Sequence, residues 1–106
     1  MFISKLFKNL KNNYKNIENK NYSVGFILDY NFELECTYVS EIFDEELKEL
    51  VKEGDIIIGV NNKSVVFNSL FHIKSLLLGE YETEVVITFF RDRESITHTF
   101  QRNINV

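Results

Sequence analysis

The stretch "VKEGDIIIGVNNKSV", Val51 to Val65, decides how the chain is read. "EGD" is a turn, "IIIGV" is a buried strand rich in β-branched residues, and "NNK" is a tight turn into a short second strand at Ser64–Val65. The chain has four glycines, and Gly54 and Gly59 both fall here. Gly59 inside the strand signals a bulge or a close approach by another backbone.

Short elements flank this anchor on both sides. Upstream, "YSVGFIL" reads as a turn into a strand, and "ELECTYVSEI" alternates like a half-buried strand. "DEELKELVKE" is a short helix that Asp44 can cap, with Leu47, Leu50 and Val51 on its inner face. Downstream, "NSLFHIKSLLLG" is a second helix, capped by Asn68 or Ser69 and ended by Gly79. "EVVITFFRDRESITHTFQ" is a hairpin turning at "RDRE". Cys36 alternates with Leu34 and Tyr38, which marks a buried thiol rather than a nucleophile. His98 alternates with Ile96 and Phe100, which puts it in or near the core. Glu45, Glu46, Glu49 and Glu53 lack ligand geometry and a histidine partner, so they form a solvated helix face and no metal site is expected.

The whole chain sets limits on function. Its 106 residues fit one domain with one core. Apolar content of 44% with ten phenylalanines argues for a globular fold rather than disorder. A lone cysteine excludes an internal disulfide framework and suits a reducing compartment, so a cytoplasmic location is expected. No apolar run approaches the ~20 residues that span a bilayer, and Lys5 and Lys8 interrupt what would be a secretory leader. No residue set combines nucleophile, base and orienting partner at a recognisable spacing, so an enzyme is not expected, and no cofactor is implied.

Charge is divided unevenly. Residues 1–22 hold Lys5, Lys8, Lys11, Lys15 and Lys20 against Glu18, a net +4; with −4 overall, the remainder carries −8. An acidic body repels phosphate, which argues against nucleic-acid binding. In the head, Phe2, Ile3, Leu6, Phe7, Leu10, Tyr14 and Ile17 trace one helical stripe with the lysines mostly off it. This amphipathic helix and its polar join, residues 1–21, form a unit distinct from the domain at 22–106. Residues 2–18 can pack on the acidic body, self-associate or pair with a partner, or rest on an anionic membrane surface as a peripheral contact. Packing on protein is the commonest use of such a stripe.

Residues 22–101 resemble a PDZ domain. "GDIIIGVNNKSV" is similar to that family's Gly-Asp-Ile-Ile-x-x-Val-Asn-Gly-x-x-Val stretch, with Asn62 where glycine is usual. "SVGF", Ser23 to Phe26, looks like its carboxylate-binding loop, usually Gly-Leu-Gly-Phe. The resemblance implies an α+β fold: a partly open β-sandwich or barrel of five to six strands with two helices, preceded here by the amphipathic helix. Gly54 and Gly59 then belong to the scaffold. The hairpin after "RDRE" resembles bacterial-type members, among them domains of periplasmic proteases and secretion-system components, in which a C-terminal strand completes the sheet. Residues 95–101 are accordingly expected beside the carboxylate-loop strand, covering its edge.

The same resemblance implies a partner and a site. Such a domain binds the C-terminal segment of a protein partner as an added strand, a mode for which PDZ domains are a standing example. The N–H groups of Val24, Gly25 and Phe26 would receive the terminal carboxylate. Ile27 and Leu28 would continue the strand edge, and the second helix would form the other wall. Matching "LFHIKSL" to the family's helix start sets His72 and Leu76, one turn apart, facing the peptide. His72 would then bond a Ser or Thr hydroxyl three residues from the ligand's end. The rival count sets Leu70 and Lys74 there; the His72 register is favoured because a lysine in an apolar groove is costly. "FDEELKEL" is bulkier than the family's usual loop. A second class of function stays open: a structural assembly or dimerisation module whose groove is degenerate or filled by the chain itself.

Overall fold

The computed structural model describes residues 21–106, so the amphipathic helix expected over residues 2–18 lies outside them. The strands, in chain order, are β1 (Tyr22–Ser23), β2 (Phe26–Asn31), β3 (Cys36–Ile42), β4 (Ile56–Val60), β5 (Lys63–Ser64), β6 (Glu84–Arg91), β7 (Glu94–Gln101) and β8 (Ile104–Asn105). A 3-10 turn, Glu45–Leu47, follows β3, and a helix, α1 (Leu70–Leu77), follows β5. The main sheet runs β2-β3-β4-β6-β7, with β5 paired to β4, and β1 pairs with β8 separately.

Turn chemistry explains the two tightest reversals. Asn61 and Asn62 take φ of 51° and 65°, and Asp92 and Arg93 take 50° and 66°. Paired positive φ is the twist that joins antiparallel strands through two residues. Asn61 also fastens its turn to β6, its N–H donating to the Val86 carbonyl at 2.7 Å and its Oδ1 accepting from the Val86 N–H at 2.9 Å. The register of β4 against β6 shifts between Ile57 and Gly59, which is the irregularity that Gly59 signals in the sequence.

The core lies between the sheet and α1. Val39, Val51, Ile57, Val65, Ile73, Val85, Ile87 and Phe89 are buried at its centre. Phe26, Phe89 and Phe100 meet edge to face, with ring centroids 5.6–5.9 Å apart. That trio draws β2 onto the β6–β7 hairpin without a hydrogen-bonded ladder between them. It also corrects the expected topology. Residues 95–101 lie in the sheet but pair with β6, at the far end of the strand order from β2. The C-terminal strand that reaches the loop is β8, pairing Ser23 with Ile104 and Tyr22 with Asn105.

Two smaller expectations also change. The helix expected over 44–53 is a 3-10 turn, capped by Asp44 as foreseen, its Oδ1 accepting from the Glu46 N–H. On β3 the buried side chains are Thr37, Val39 and Ile42, whereas Cys36 and Tyr38 are only half-buried and Leu34 is exposed in the preceding turn. Burial still pushes the Cys36 thiol pKa up, away from the reactive thiolate. His98 is half-buried on the Phe100 face of β7.

The aspartate of the "EGD" turn, Asp55, is only 2% exposed. Its Oδ1 accepts from Arg91 Nε at 2.7 Å, and its Oδ2 accepts from Arg91 Nη2 at 2.6 Å and from the Lys52 N–H at 2.9 Å. Arg91 Nη2 also donates to the Leu50 carbonyl at 3.1 Å. One fork therefore ties the turn before β4 to the end of β6. Replacing a single partner of a buried pair strands the other charge. Asp55→Ala is expected to lower unfolding free energy by about 3 kcal/mol in urea melts, with the Asp55→Ala/Arg91→Ala pair costing less than the two single changes summed.

Candidate functional site

Between β2 and α1 lies a cleft of about 310 Å³, near the small end of ligand pockets and suited to an apolar side chain. Ser23, Val24, Phe26, Ile27 and Leu28 line it from the loop and β2, Phe43 from the connection after β3, Lys74, Leu77 and Leu78 from α1 and its end, and Val106 from the segment after β8. β2 ends the strand order of its sheet, so β3 pairs with one of its edges and the other faces this cleft. Bonding on the β3 side fixes which backbone groups point outward. The Gly25 carbonyl accepts from the Phe43 and Asp44 N–H groups, both at 3.1 Å, and the Ile27 carbonyl accepts from Ser40 Oγ at 3.1 Å. Alternation along the strand therefore turns the backbone groups of Phe26 and Leu28 toward the cleft.

The loop entering β2 is drawn tight. Val24 and Gly25 are buried, and among the described residues neither N–H has a hydrogen-bond acceptor. Buried backbone donors are nearly always paired. A side chain at position 25 would collide with Asp44 Cβ, so glycine there lets the 3-10 turn close over the loop. Phe43, from the same bulky connection, forms part of the cleft wall.

Helix α1 forms the other wall, and its rotation departs from the expected register. Ile73 and Leu77 are buried and Leu70 and Leu76 pack on the core. Lys74, Leu77 and Leu78 line the cleft. His72 is exposed, with its N–H capped by Ser69 Oγ, and neither it nor Leu76 lines the cleft. At 100° per residue, His72 lies about 160° from Lys74 around the helix axis. Of the rival pair, Lys74 lines the cleft, while Leu70 packs on the core and lines a separate, more open cleft. Lys74 is tolerated because its four-carbon stem can cover apolar surface while the ammonium reaches water. Thus Val24, Phe26, Ile27 and Leu28 come together at the cleft, Gly25 stands in the loop above it, and His72 and Leu76 fall outside.

A second, more open cleft lies toward the other end of β2, lined by Tyr30, Phe32, Phe67, Asn68, Ser69, Leu70 and Phe71. Phe67, Phe71 and Phe32 are 99%, 86% and 85% exposed. Three nearly bare phenylalanines beside a groove are the kind of apolar surface that marks contact with another molecule.

Sequence reading missed the residue that holds the helix wall in place. Arg102 is 8% exposed. Its Nε donates to the Leu77 carbonyl at 2.9 Å and its Nη2 to the Leu76 carbonyl at 3.3 Å. Its Nη1 donates to Thr83 Oγ1 at 3.0 Å and to the Glu84 carbonyl at 2.8 Å. Burial pulls its pKa below the ordinary arginine value.

The PDZ domain of a carboxy-terminal protease from Vibrio cholerae, solved in complex with a peptide, matches with a TM-score of 0.68 at 23% identity, over 80% of this chain and 97% of that one. The fold is that of a PDZ domain. The photosystem II D1 C-terminal processing protease matches equally well, with a TM-score of 0.68 at 22% identity, over 80% of this chain but 23% of that protein. No protein-family model and no curated protein sequence matches the chain. The PDZ fold accounts for the position of the loop, the open edge of β2 and the facing helix. Among the described residues, no helix is long and apolar enough to cross a membrane.

Arg102→Met keeps the apolar stem and removes every donor. It should lower unfolding free energy by about 3 kcal/mol, since several helix-end and strand carbonyls lose a charged partner at once; thermal and urea melts measure this directly.

Proposed function

We propose that this chain is a non-enzymatic interaction module that captures the free C-terminal segment of a protein partner as an added strand between β2 and α1. The observation that carries this reading is the β2 edge, unpaired among the described residues, which faces an apolar cleft and leads from a loop in which two N–H groups find no acceptor among those residues. A terminal carboxylate at Val24, Gly25 and Phe26 would supply the missing acceptor, and the ligand's last side chain would enter the cleft among Phe26, Leu28 and Leu77. The ligand then runs antiparallel to β2, and residues some five or six from its end reach the aromatic cleft. We further propose that the basic head serves self-association or peripheral membrane contact through residues 2–18.

Fluorescence anisotropy with paired peptides, one ending in a free carboxylate and one amidated, tests the reading. Both should end in an apolar residue. The free form should bind at least about tenfold more tightly, the scale of charge-assisted hydrogen bonds to a carboxylate. Equal binding would overturn it.

One observation favours a second reading, a groove occupied by the chain itself. Val106 lines the cleft, and its N–H donates to the Asn21 carbonyl at 2.9 Å. If that contact closes the groove, the unaltered chain should ignore both peptides and Val106→Gly should admit the free one.

A further inference from the structure

Among the described residues that line the cleft, Lys74 is the only charged one. The ion pairs formed among the described residues are Lys48–Glu45 and Arg91–Asp55, so Lys74 has no carboxylate partner there. Among the described residues a single cation without a carboxylate partner thus stands on the wall of an apolar groove, in a body that carries −8.

Its level along the groove follows from helix and strand spacing. Leu77 and Leu78 stand at the loop end, where Gly79 pairs with Tyr22 through hydrogen bonds of 2.9 and 3.2 Å. Lys74 lies one turn earlier, a displacement of about 5 Å away from the loop. An added strand advances about 3.3 Å per residue, so this displacement falls between the second and third residues from its end. Side chains of a strand alternate, and a last residue pointing into the cleft makes the third from last the next to face the helix.

We infer that Lys74 sets the ligand's identity at that position, selecting a C-terminal segment with Asp or Glu third from last. This rests on the peptide-capture reading above and reverses the Ser or Thr preference that a His72 register would give. The −8 of the body opposes any acidic ligand, but through charges spread over the surface, and physiological salt screens such interactions beyond about 8 Å. An ammonium in contact with a carboxylate beside apolar walls is screened far less. Local attraction therefore outweighs the long-range term at physiological salt.

The test uses the full chain and free-carboxylate peptides that end in an apolar residue and differ only at the third-from-last position: Glu, Gln, Ser or Lys. The unaltered protein should bind the Glu peptide about fivefold more tightly than the Gln peptide, at the upper end of what a partly exposed pair provides. Lys74→Met, which keeps the stem, should bind the Glu and Gln peptides alike. Lys74→Glu should prefer the Lys peptide. Equal affinity of the unaltered protein for Glu and Gln peptides, or a preference for Ser, overturns the assignment. So does a Lys74→Met loss shared equally by all four, which would put the ammonium on the terminal carboxylate instead. An amidated control separates the two levels: loss of binding on amidation together with indifference between Glu and Gln fails only the Lys74 assignment. Indifference to amidation fails the peptide-capture reading itself.

Discussion

Among the described residues, the buried guanidinium of Arg102 makes more hydrogen bonds than any other side chain. It draws the final turn of α1, the start of β6 and the approach to β8 to one point. A helix leaves its last carbonyls without intrahelical donors, and a cation near that end also complements the helix dipole. Arg102 answers both needs for α1, whose last turn is one wall of the groove. Gly79 lies directly against the guanidinium, where any side chain would intrude within 2.6 Å. The backbone of Gly79 in turn pairs with Tyr22, just ahead of the Val24–Phe26 loop. Helix wall and loop are therefore positioned by one connected set of bonds, and the width of the cleft between them depends on it.

Much of the scaffold was legible because its signals are local. Asn61–Asn62 and Asp92–Arg93 carry the positive φ that their turns demand, and Ser69 caps α1 through its own hydroxyl. The Ser23–Leu28 loop and strand were legible too, since a glycine before an apolar run is a short-range pattern. What sequence could not fix was rotation and placement. Leu70, Phe71, Ile73, Leu76, Leu77 and Leu78 leave no clean apolar stripe on α1, so periodicity alone does not say which arc faces the core and which the groove. Arg102 lies in "FQRNINV", where nothing separates a buried arginine from a surface one. The position of β7 depended on the Phe26–Phe89–Phe100 packing, a three-strand contact with no signature in any one segment.

The charge of Lys74 in the cleft is compatible with the packing around it. Ile73 and Leu77 anchor α1 in the core on one side, which leaves Lys74 at the boundary between core and solvent. A lysine at such a boundary loses little hydration when the groove is empty, because its stem and not its head covers the apolar wall. A leucine there would make the groove more apolar and less selective. Specificity of this kind needs a group whose partner is absent from most competitors.

An open strand edge carries a hazard, since it can pair with any other edge it meets. Here β2 ends its sheet on the cleft side, and α1, standing opposite as the other wall of the cleft, obstructs the approach of a whole sheet. The same helix that would read a ligand thus protects the edge from promiscuous pairing. Rigidity of that wall matters for both purposes. A helix free to swing outward would expose Phe26 and Leu28 together with their outward backbone groups, enlarging the apolar surface already begun by Phe32, Phe67 and Phe71. Arg102 holds the C-terminal end of α1 and Ser69 caps its start, so the wall is fixed at both ends. Selectivity and resistance to aggregation then share one geometric cause.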